Sequence, residues 1–374
     1  MRRQSARLTS QRALLPLLGI RSGSQPRWAP AFSISPSCRT ISSQRSISTL
    51  AYHILVFTAN PNRDVALRHL VHGGVWSEPR EHYREPSMDL DHVVARRFAP
   101  ICQSYDWRDC ALYALGLGMG DDPLDEDELP YVYEGRDQRA VPSLSVTLGW
   151  PPLWIAEPET GIAWTKALHG EQRLTLHRPI PVSASIRAEH RVSAVEDKGP
   201  TRGALLYFDT ELFDAASGER LATLRATEFL RGDGGCGNYG LPPAAIAPIC
   251  SDRPSASIIY RTPHQAALLY RLVSRDYMPI HADPAIARDA GFDRPISHGL
   301  NMLGLACRAI LKRYAPGRPE LIEAMNARFV APAFPGDTIR IDMFEEDNVI
   351  RFRAWAAERH TMVIDRGECR LTAA

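Results

Sequence analysis

An aspartate and a histidine, Asp276 and His281, stand five positions apart across a proline-containing turn. A second histidine and a glycine, His298 and Gly299, lead into an apolar run over residues 302–311 that predicts a buried helix. Asp and His side chains that hold one water between them can act as general base and general acid. Backbone N–H groups at a helix start can bind a developing oxyanion, and a glycine there permits close approach.

These groups match the needs of adding water to the double bond of a 2-enoyl thioester, or of removing it. The water needs a base, the alpha carbon needs an acid, and the enolate oxygen needs hydrogen-bond donors. We therefore predict Asp276 and His281 as the catalytic pair, with His298 and Gly299 at the thioester oxygen. Taken singly, either member of the pair would be better explained as a turn residue or a core histidine. Asp283, which precedes a proline, is predicted to be an N-cap only.

The segment over residues 270–304 resembles the signature of the MaoC-like 2-enoyl-CoA hydratase 2 family, which has Asp, one residue, Asn-Pro, an apolar residue and His. Further segments resemble the double-hotdog members of that family: residues 105–118, 168–172, 197–199 and 231–235. Those members include the hydratase part of the peroxisomal multifunctional enzyme type 2. The resemblance implies that the Asp and His above are catalytic and that the glycine donates to the thioester oxygen.

Two positions of the signature depart from the family pattern. The usual Asn falls on Met278, and the usual Gly before the Asp is Arg275. In relatives the Asn side chain helps to hold the catalytic water or the substrate, and a thioether cannot form the same hydrogen bonds. The departure therefore bears on catalytic efficiency and substrate choice more than on the fold.

The resemblance implies an α+β tandem hotdog fold, in which each half is a long helix wrapped by an antiparallel sheet. The order of predicted elements agrees, because an apolar helical segment (110–117 or 265–273) opens each half and four strands with alternating polarity close it. The predicted strands are residues 172–181, 183–195, 204–213 and 221–230 in the first half and 326–332, 337–345, 348–357 and 361–371 in the second.

Three domains are predicted. Residues 1–87 form an extension that is expected to be disordered, residues 88–240 a non-catalytic hotdog that accommodates the acyl chain, and residues 241–374 the catalytic hotdog. The first 50 residues are rich in Arg and Ser and contain no Asp or Glu, which is typical of a mitochondrial transit peptide. An upstream extension or a wrongly chosen start codon is the alternative, and it would leave a cytoplasmic protein. The C-terminal residues are not of the Ser-Lys-Leu type, so a peroxisomal location is less expected.

The first half lacks the acid–base pair. Met119 aligns with the catalytic aspartate, and Leu124 or Asp125 aligns with the catalytic histidine. His169 lies close to Glu171 and could be mistaken for an acid–base pair. The resemblance instead implies a structural contact between the halves. We therefore expect the first half to be catalytically silent.

The composition of the chain restricts the kinds of molecule that it is expected to bind. A net charge of +1 gives no electrostatic case for nucleic acid or a membrane surface, and no apolar run reaches about 20 residues. Seven cysteines without ligand spacing predict neither a metal site nor disulfides. No cofactor is expected, because coenzyme A is part of the substrate. Arg231, Lys198 and Arg328 are candidates for contacting its phosphates. The fused halves form a pseudo-dimer, and a homodimer of the whole chain is a possible assembly.

The predicted activity is that of a hydro-lyase interconverting a trans-2-enoyl-CoA and a (3R)-3-hydroxyacyl-CoA, as in fatty acid β-oxidation; the family alone implies the R configuration. One alternative is a dehydratase of a biosynthetic thioester on an acyl carrier protein or a polyketide-like carrier. Another is a non-catalytic acyl-CoA binding protein, which the two departures from the signature would permit. A thioesterase is disfavoured by the spacing of the Asp and His.

Overall fold

The computed structural model describes residues 88–135 and 137–372, and the predicted extension over residues 1–87 lies outside them. Eleven strands are found in the described residues. The first half contains β1 (Ile101–Tyr105), β2 (Ala167–Leu176), β3 (Ala184–Asp197), β4 (Ala204–Asp214), β5 (Arg220–Leu230) and the short β6 (Tyr239–Gly240). The second contains β7 (Ala256–Arg261), β8 (Ile322–Phe329), β9 (Thr338–Glu346), β10 (Val349–Ala356) and β11 (Thr361–Leu371).

Six α-helices accompany the strands within these ranges: α1 (Leu90–Ala95), α2 (Trp107–Gly116), α3 (Leu129–Val132), α4 (Ala266–Ser274), α5 (Pro284–Asp289) and α6 (Gly299–Tyr314). Short 3₁₀ segments connect several of them, including Pro142–Thr147 and Pro279–His281. None of these helices is long and apolar enough to cross a bilayer.

The strands form one antiparallel sheet with two similar halves. Its order is β1-β3-β4-β5-β2-β8-β11-β10-β9-β7, with β6 paired to β3. The same internal order appears on both sides of the central β2–β8 pair, where Glu171 stands opposite Arg328 and Leu174 opposite Met325. This repeated order confirms the predicted double hotdog.

The long helix α6 fills the second half. All residues from Leu300 to Leu311 are buried, so the helix is covered on every side, as expected of a core helix. Leu303, Ala306 and Ile310 are fully inaccessible and belong to the main core. Burying a side chain such as Leu303 stabilises the fold by roughly 1.5–3 kcal/mol. This core fixes the position of the helix start, which faces the candidate site.

The first half departs from the expectation of a long helix in each half. The buried segment that contacts α6 is the six-residue 3₁₀ helix Pro142–Thr147. Its hydroxyls bond back to nearby carbonyls, from Ser145 to Pro142 and from Thr147 to Leu144, both at 2.8 Å. Such local bonds compete with regular helix hydrogen bonding. Among the described residues, a long helix is therefore present only in the second half.

Arg275 ends helix α4 in the left-handed region, with φ of 58°. A glycine usually occupies this position because a Cβ is strained there. We expect Arg275→Gly to raise the free energy of unfolding by about 0.5–1 kcal/mol, measured by urea titration. Arg275→Ala is the control, since it removes the side chain but keeps the Cβ. Equal stability of the Gly and Ala variants would contradict the strain.

Candidate active site

The turn after α4 fixes the carboxylate of Asp276. The backbone N–H of Met278 donates to Asp276 Oδ1 at 3.1 Å, and the N–H of Asp276 donates to Ser274 Oγ at 3.2 Å. The other carboxylate oxygen, Oδ2, lies 3.9 Å from His281 Nε2. This separation is too long for a direct hydrogen bond but allows one water to bond both atoms. The structure thus brings the predicted catalytic pair together.

His281 is oriented by its other ring nitrogen. Nδ1 lies 2.9 Å from the carbonyl oxygen of Ile296, so Nδ1 carries the proton and Nε2 presents a lone pair. Burial lowers the pKa of His281, and the nearby Asp276 charge only partly opposes this effect. The imidazole is therefore neutral near pH 7, and its Nε2 can accept a proton from water.

The acid limb of activity should report this low pKa. Because protonated His281 cannot act as a base, kcat/KM should fall only when the pH drops below about 6.5, the usual histidine pKa. The measurement is kcat/KM against pH, with circular dichroism at each pH to exclude acid unfolding. An acid limb at or above the usual histidine value would contradict a neutral, buried base.

His298 stacks on the catalytic histidine. Its ring centroid lies 3.7 Å from that of His281, with the planes 25° apart, and its Nε2 is 3.4 Å from the carbonyl oxygen of Asp276. Burial and the neighbouring imidazole lower the pKa of His298. Its Nδ1 is buried and has no hydrogen-bond partner among the described residues. An unpartnered nitrogen in this position fits contact with a substrate or water.

Gly299 begins helix α6, as predicted. The cap residue His298 forms no side-chain hydrogen bond to the first turn, so the first N–H groups of the helix are not capped by that side chain. A Cβ at Gly299 would lie only 3.2 Å from the ring of Phe329. The glycine thus lets the helix start pack against Phe329 with its backbone uncovered.

Asp276, His281 and His298 could be mistaken for a metal site, since one ligand atom of each lies within 4.8 Å of the others. A metal ion bonds to imidazole nitrogen along its lone pair, in the plane of the ring. Because the two rings are stacked, an ion in the plane of one lies outside the plane of the other. This geometry disfavours a shared ion, and the absence of a metal stays a prediction.

A cavity of about 630 Å³ joins this cluster to the first half. Its wall is mainly apolar and aromatic, and Met278 lines it where the family has Asn. The first half contributes, among others, Trp150, Leu153, Trp154, Trp164, Phe208 and Ala226. A cavity of this size and lining suits an acyl chain held beside the catalytic pair.

Two of the three candidate cations for coenzyme A lie at the cavity. Arg231 and Arg328 both line it, and Arg231 Nε donates to the carbonyl oxygen of Lys166 at 2.9 Å. Lys198 does not line it, because it lies beyond the end of β3 and pairs with Glu196. Of the three candidates, Arg231 and Arg328 are therefore the better placed, and contact of any of them with coenzyme A stays a prediction.

His169 also lies in the cavity wall. Its ring packs edge-on against Phe329 of the second half at 5.3 Å, so the predicted contact between halves is present. Its Nε2 lies 3.1 Å from the backbone oxygen of Glu171, whose carboxylate instead approaches Arg173. The carboxyl group opposite His169 is that of Glu228 on β5, which the sequence did not single out. A lone Glu in an alternating strand gives no sequence signal for a cavity position.

The double hotdog, with an Asp–His pair beside the start of a buried helix, defines a class of thioester-binding fold. Family models match two parts of the chain, "MFE-2 hydratase 2 N-terminal domain" over residues 103–232 and "MaoC like domain" over residues 250–365. The crystal structure of a MaoC-like dehydratase from Phytophthora capsici superposes with a TM-score of 0.67 at 30% identity, covering 76% of this chain and 99% of that one.

Curated relatives agree with the structural match. Peroxisomal enoyl-CoA hydratase 2 from Arabidopsis thaliana is 35% identical over 295 residues, which is 75% of this chain and 94% of that protein. Peroxisomal multifunctional enzyme type 2 from Drosophila melanogaster is 33% identical over 272 residues, 70% of this chain but 45% of that enzyme. The chain therefore belongs to the MaoC-like enoyl-CoA hydratase 2 family.

Proposed function

We propose that this chain is a hydro-lyase that interconverts a trans-2-enoyl-CoA and a (3R)-3-hydroxyacyl-CoA. The observation that carries the proposal is the 3.9 Å gap between Asp276 Oδ2 and His281 Nε2, beside the start of α6 in an apolar cavity. The names of the relatives, which include enoyl-CoA hydratases, support the same reaction.

Each catalytic group has one role in the proposed reaction. Asp276 Oδ2 accepts a hydrogen bond from the water and orients it. His281 Nε2 takes a proton from that water while the oxygen bonds to C3 of the enoyl group, and the proton is then delivered to C2. The backbone N–H of Gly299 donates to the thioester oxygen, where negative charge develops. The net result is addition of H and OH across one double bond.

The carrier of the thioester is the point on which the alternatives differ. A biosynthetic dehydratase would prefer an acyl carrier protein, whereas coenzyme A offers phosphates to the cations at the cavity. Comparing kcat/KM on matched coenzyme A and carrier-protein thioesters, with the product configuration determined by R- and S-specific dehydrogenases, tests the proposal. Preference for the carrier protein, or an S product, would overturn it. Tight binding of acyl-CoA without turnover would favour the non-catalytic alternative.

Arg328 should contribute to recognition of coenzyme A through its phosphates. We expect Arg328→Gln to raise KM for crotonyl-CoA about tenfold with little change in kcat, because it removes a charge away from the reacting atoms. The control substrate is the N-acetylcysteamine thioester of the same acid, which lacks phosphates and should show no such effect. An equal loss on both thioesters would rule out a phosphate contact.

The location of this chain stays a prediction. Residues 1–50 predict mitochondrial import, whereas two of the relatives above are peroxisomal by name. The homodimer is likewise a prediction. The two halves of one chain already supply both walls of the cavity, so the site does not require a second chain.

A further inference from the structure

A carboxyl group that the proposed reaction does not use faces the cavity. Glu228 lies on β5 directly opposite His169 on β2, and both residues line the cavity. Within the described part of the chain, no residue forms a hydrogen bond to the Glu228 carboxyl oxygens. Nearby wall residues on the same side are apolar, namely Trp154, Phe208 and Ala226. Glu228 and His169 are therefore neighbouring polar groups beside an apolar part of the wall.

The Glu228 side chain is half-buried and opens into the cavity, beside apolar neighbours against which a leucine would pack. An apolar environment favours the uncharged form of a carboxyl group. Burial raises the pKa of Glu228, the negative Asp276 raises it further, and His169 opposes them. A carboxyl group accepts a hydrogen bond from a hydroxyl group in either form, and its uncharged form can also donate one. A hydroxyl group on a substrate that enters the cavity can therefore bond to this carboxyl group.

The strand order sets how far this group lies from the reacting atoms. Phe329, which packs on Gly299, is on β8; His169 is on β2; and Glu228 is on β5. These three strands are consecutive neighbours in the sheet. At about 4.8 Å between strands, Glu228 on β5 lies ~10 Å across the sheet from Phe329 on β8. It is therefore placed to meet the acyl chain well beyond the double bond.

We propose that Glu228, together with His169, forms a polar subsite for a hydroxyl group carried on the acyl chain of the substrate. This proposal rests on the proposed function and adds a substrate class to it, namely oxygenated 2-enoyl thioesters. The apolar neighbours Trp154, Phe208 and Ala226 favour an acyl chain over the polar pantetheine arm. Glu228 determines specificity and takes no part in proton transfer at the double bond.

The test compares trans-2-decenoyl-CoA with 10-hydroxy-trans-2-decenoyl-CoA, in which the carbon bearing the hydroxyl is at the far end of the acyl chain. The selectivity is the ratio of their kcat/KM values, measured with the full-length chain. We expect the hydroxylated probe to be preferred and Glu228→Leu to lower that selectivity about tenfold, which corresponds to one lost hydrogen bond. Glu228→Gln keeps a donor and an acceptor, so its selectivity should stay within roughly threefold of wild type.

Two results would overturn the subsite. Equal selectivity in wild type and Glu228→Leu would show that the carboxyl does not contact the hydroxyl. Equal losses on both probes would place the contact on the shared pantetheine arm.

Binding of decanoyl-CoA and 10-hydroxydecanoyl-CoA, measured by calorimetry, distinguishes failure of this subsite proposal from failure of the proposed function. If no enoyl-CoA is hydrated, the proposed reaction is wrong. A binding preference for the hydroxylated ligand that is lost in Glu228→Leu would still support the subsite, and identical affinities would overturn it.

Discussion

Asp276→Asn is expected to lower kcat for enoyl-CoA hydration at least ~100-fold while the protein stays folded. The side-chain oxygen of Asn can still accept the Met278 N–H, so the turn is preserved. The new NH₂ group, however, would face the space for the water between it and His281 Nε2, and an amide NH₂ donates but does not accept. The water then loses the acceptor that orients it. His281→Ala removes the base itself and should cause a similar loss.

Initial rates on crotonyl-CoA and urea unfolding would be measured on the same preparations. Asp283→Asn is the matched control, because Asp283 caps α5 through the N–H groups of Ala285 and Ile286. Asn is an equally good N-cap, so its rate should stay within about twofold of wild type. Activity retained in both Asp276→Asn and His281→Ala would refute the assignment of this pair.

A buried ion pair joins the two halves, and removal of one of its partners should be strongly destabilising. Arg308 on α6 donates through Nε and Nη2 to both carboxylate oxygens of Glu128, at 2.6 and 2.8 Å. Arg308 also donates to the carbonyl oxygen of Leu117, and Glu128 accepts the N–H of Gly120. The two side chains are only 8% and 4% exposed. The guanidinium and the carboxylate therefore pair with each other in a position that is buried from solvent.

Glu128→Ala is expected to lower the free energy of unfolding by about 3–5 kcal/mol, because it leaves the arginine charge buried and unpaired. The double variant with Arg308→Met should lose less than the sum of the single variants, since it removes the orphaned charge. Urea titration measures both.

The exposed pair Arg178–Glu219 supplies the control for this second prediction, its side chains being 55% and 49% exposed. Glu219→Ala should change the free energy of unfolding by less than about 1 kcal/mol. A loss in Glu128→Ala no larger than in this control would contradict the stabilising role of the buried pair.

Strands with one face buried were readable from the sequence. Residues 348–357 were predicted and Val349–Ala356 is observed, and residues 183–195 were predicted where Ala184–Asp197 is observed. The prediction that Asp283 is an N-cap is also confirmed. Alternation of buried and open positions fixes these elements locally, because each strand buries one face against the core.

Elements at the sheet edges and at irregular positions were harder to predict. The edge strands β1 and β7 were missed, since each pairs with one neighbouring strand and carries a weak polarity pattern. Strand β2, which pairs with β8 at the centre of the sheet, was predicted at residues 172–181 but is Ala167–Leu176. A register shift between His169 and Glu171 interrupts its alternation, which hid its beginning.

The candidate site likewise contains residues that the sequence could predict and residues that it could not. Asp276, His281 and Gly299 lie in one short stretch of chain, so their spacing predicted a common site that the structure brings together. Trp154 and Glu228 reach the cavity only through the packing of the first half and the pairing of β5, β2 and β8. Such long-range register leaves no local signal in a single sequence.

The central claim is most directly tested by following crotonyl-CoA incubated with the full-length chain in water enriched in oxygen-18. The account predicts a product that is still a coenzyme A thioester, heavier by one labelled water, with the label on the C3 hydroxyl. Release of free coenzyme A with the label in a carboxylate would reveal a thioesterase. Unchanged crotonyl-CoA despite tight binding would show that the site binds acyl thioesters without hydrating them.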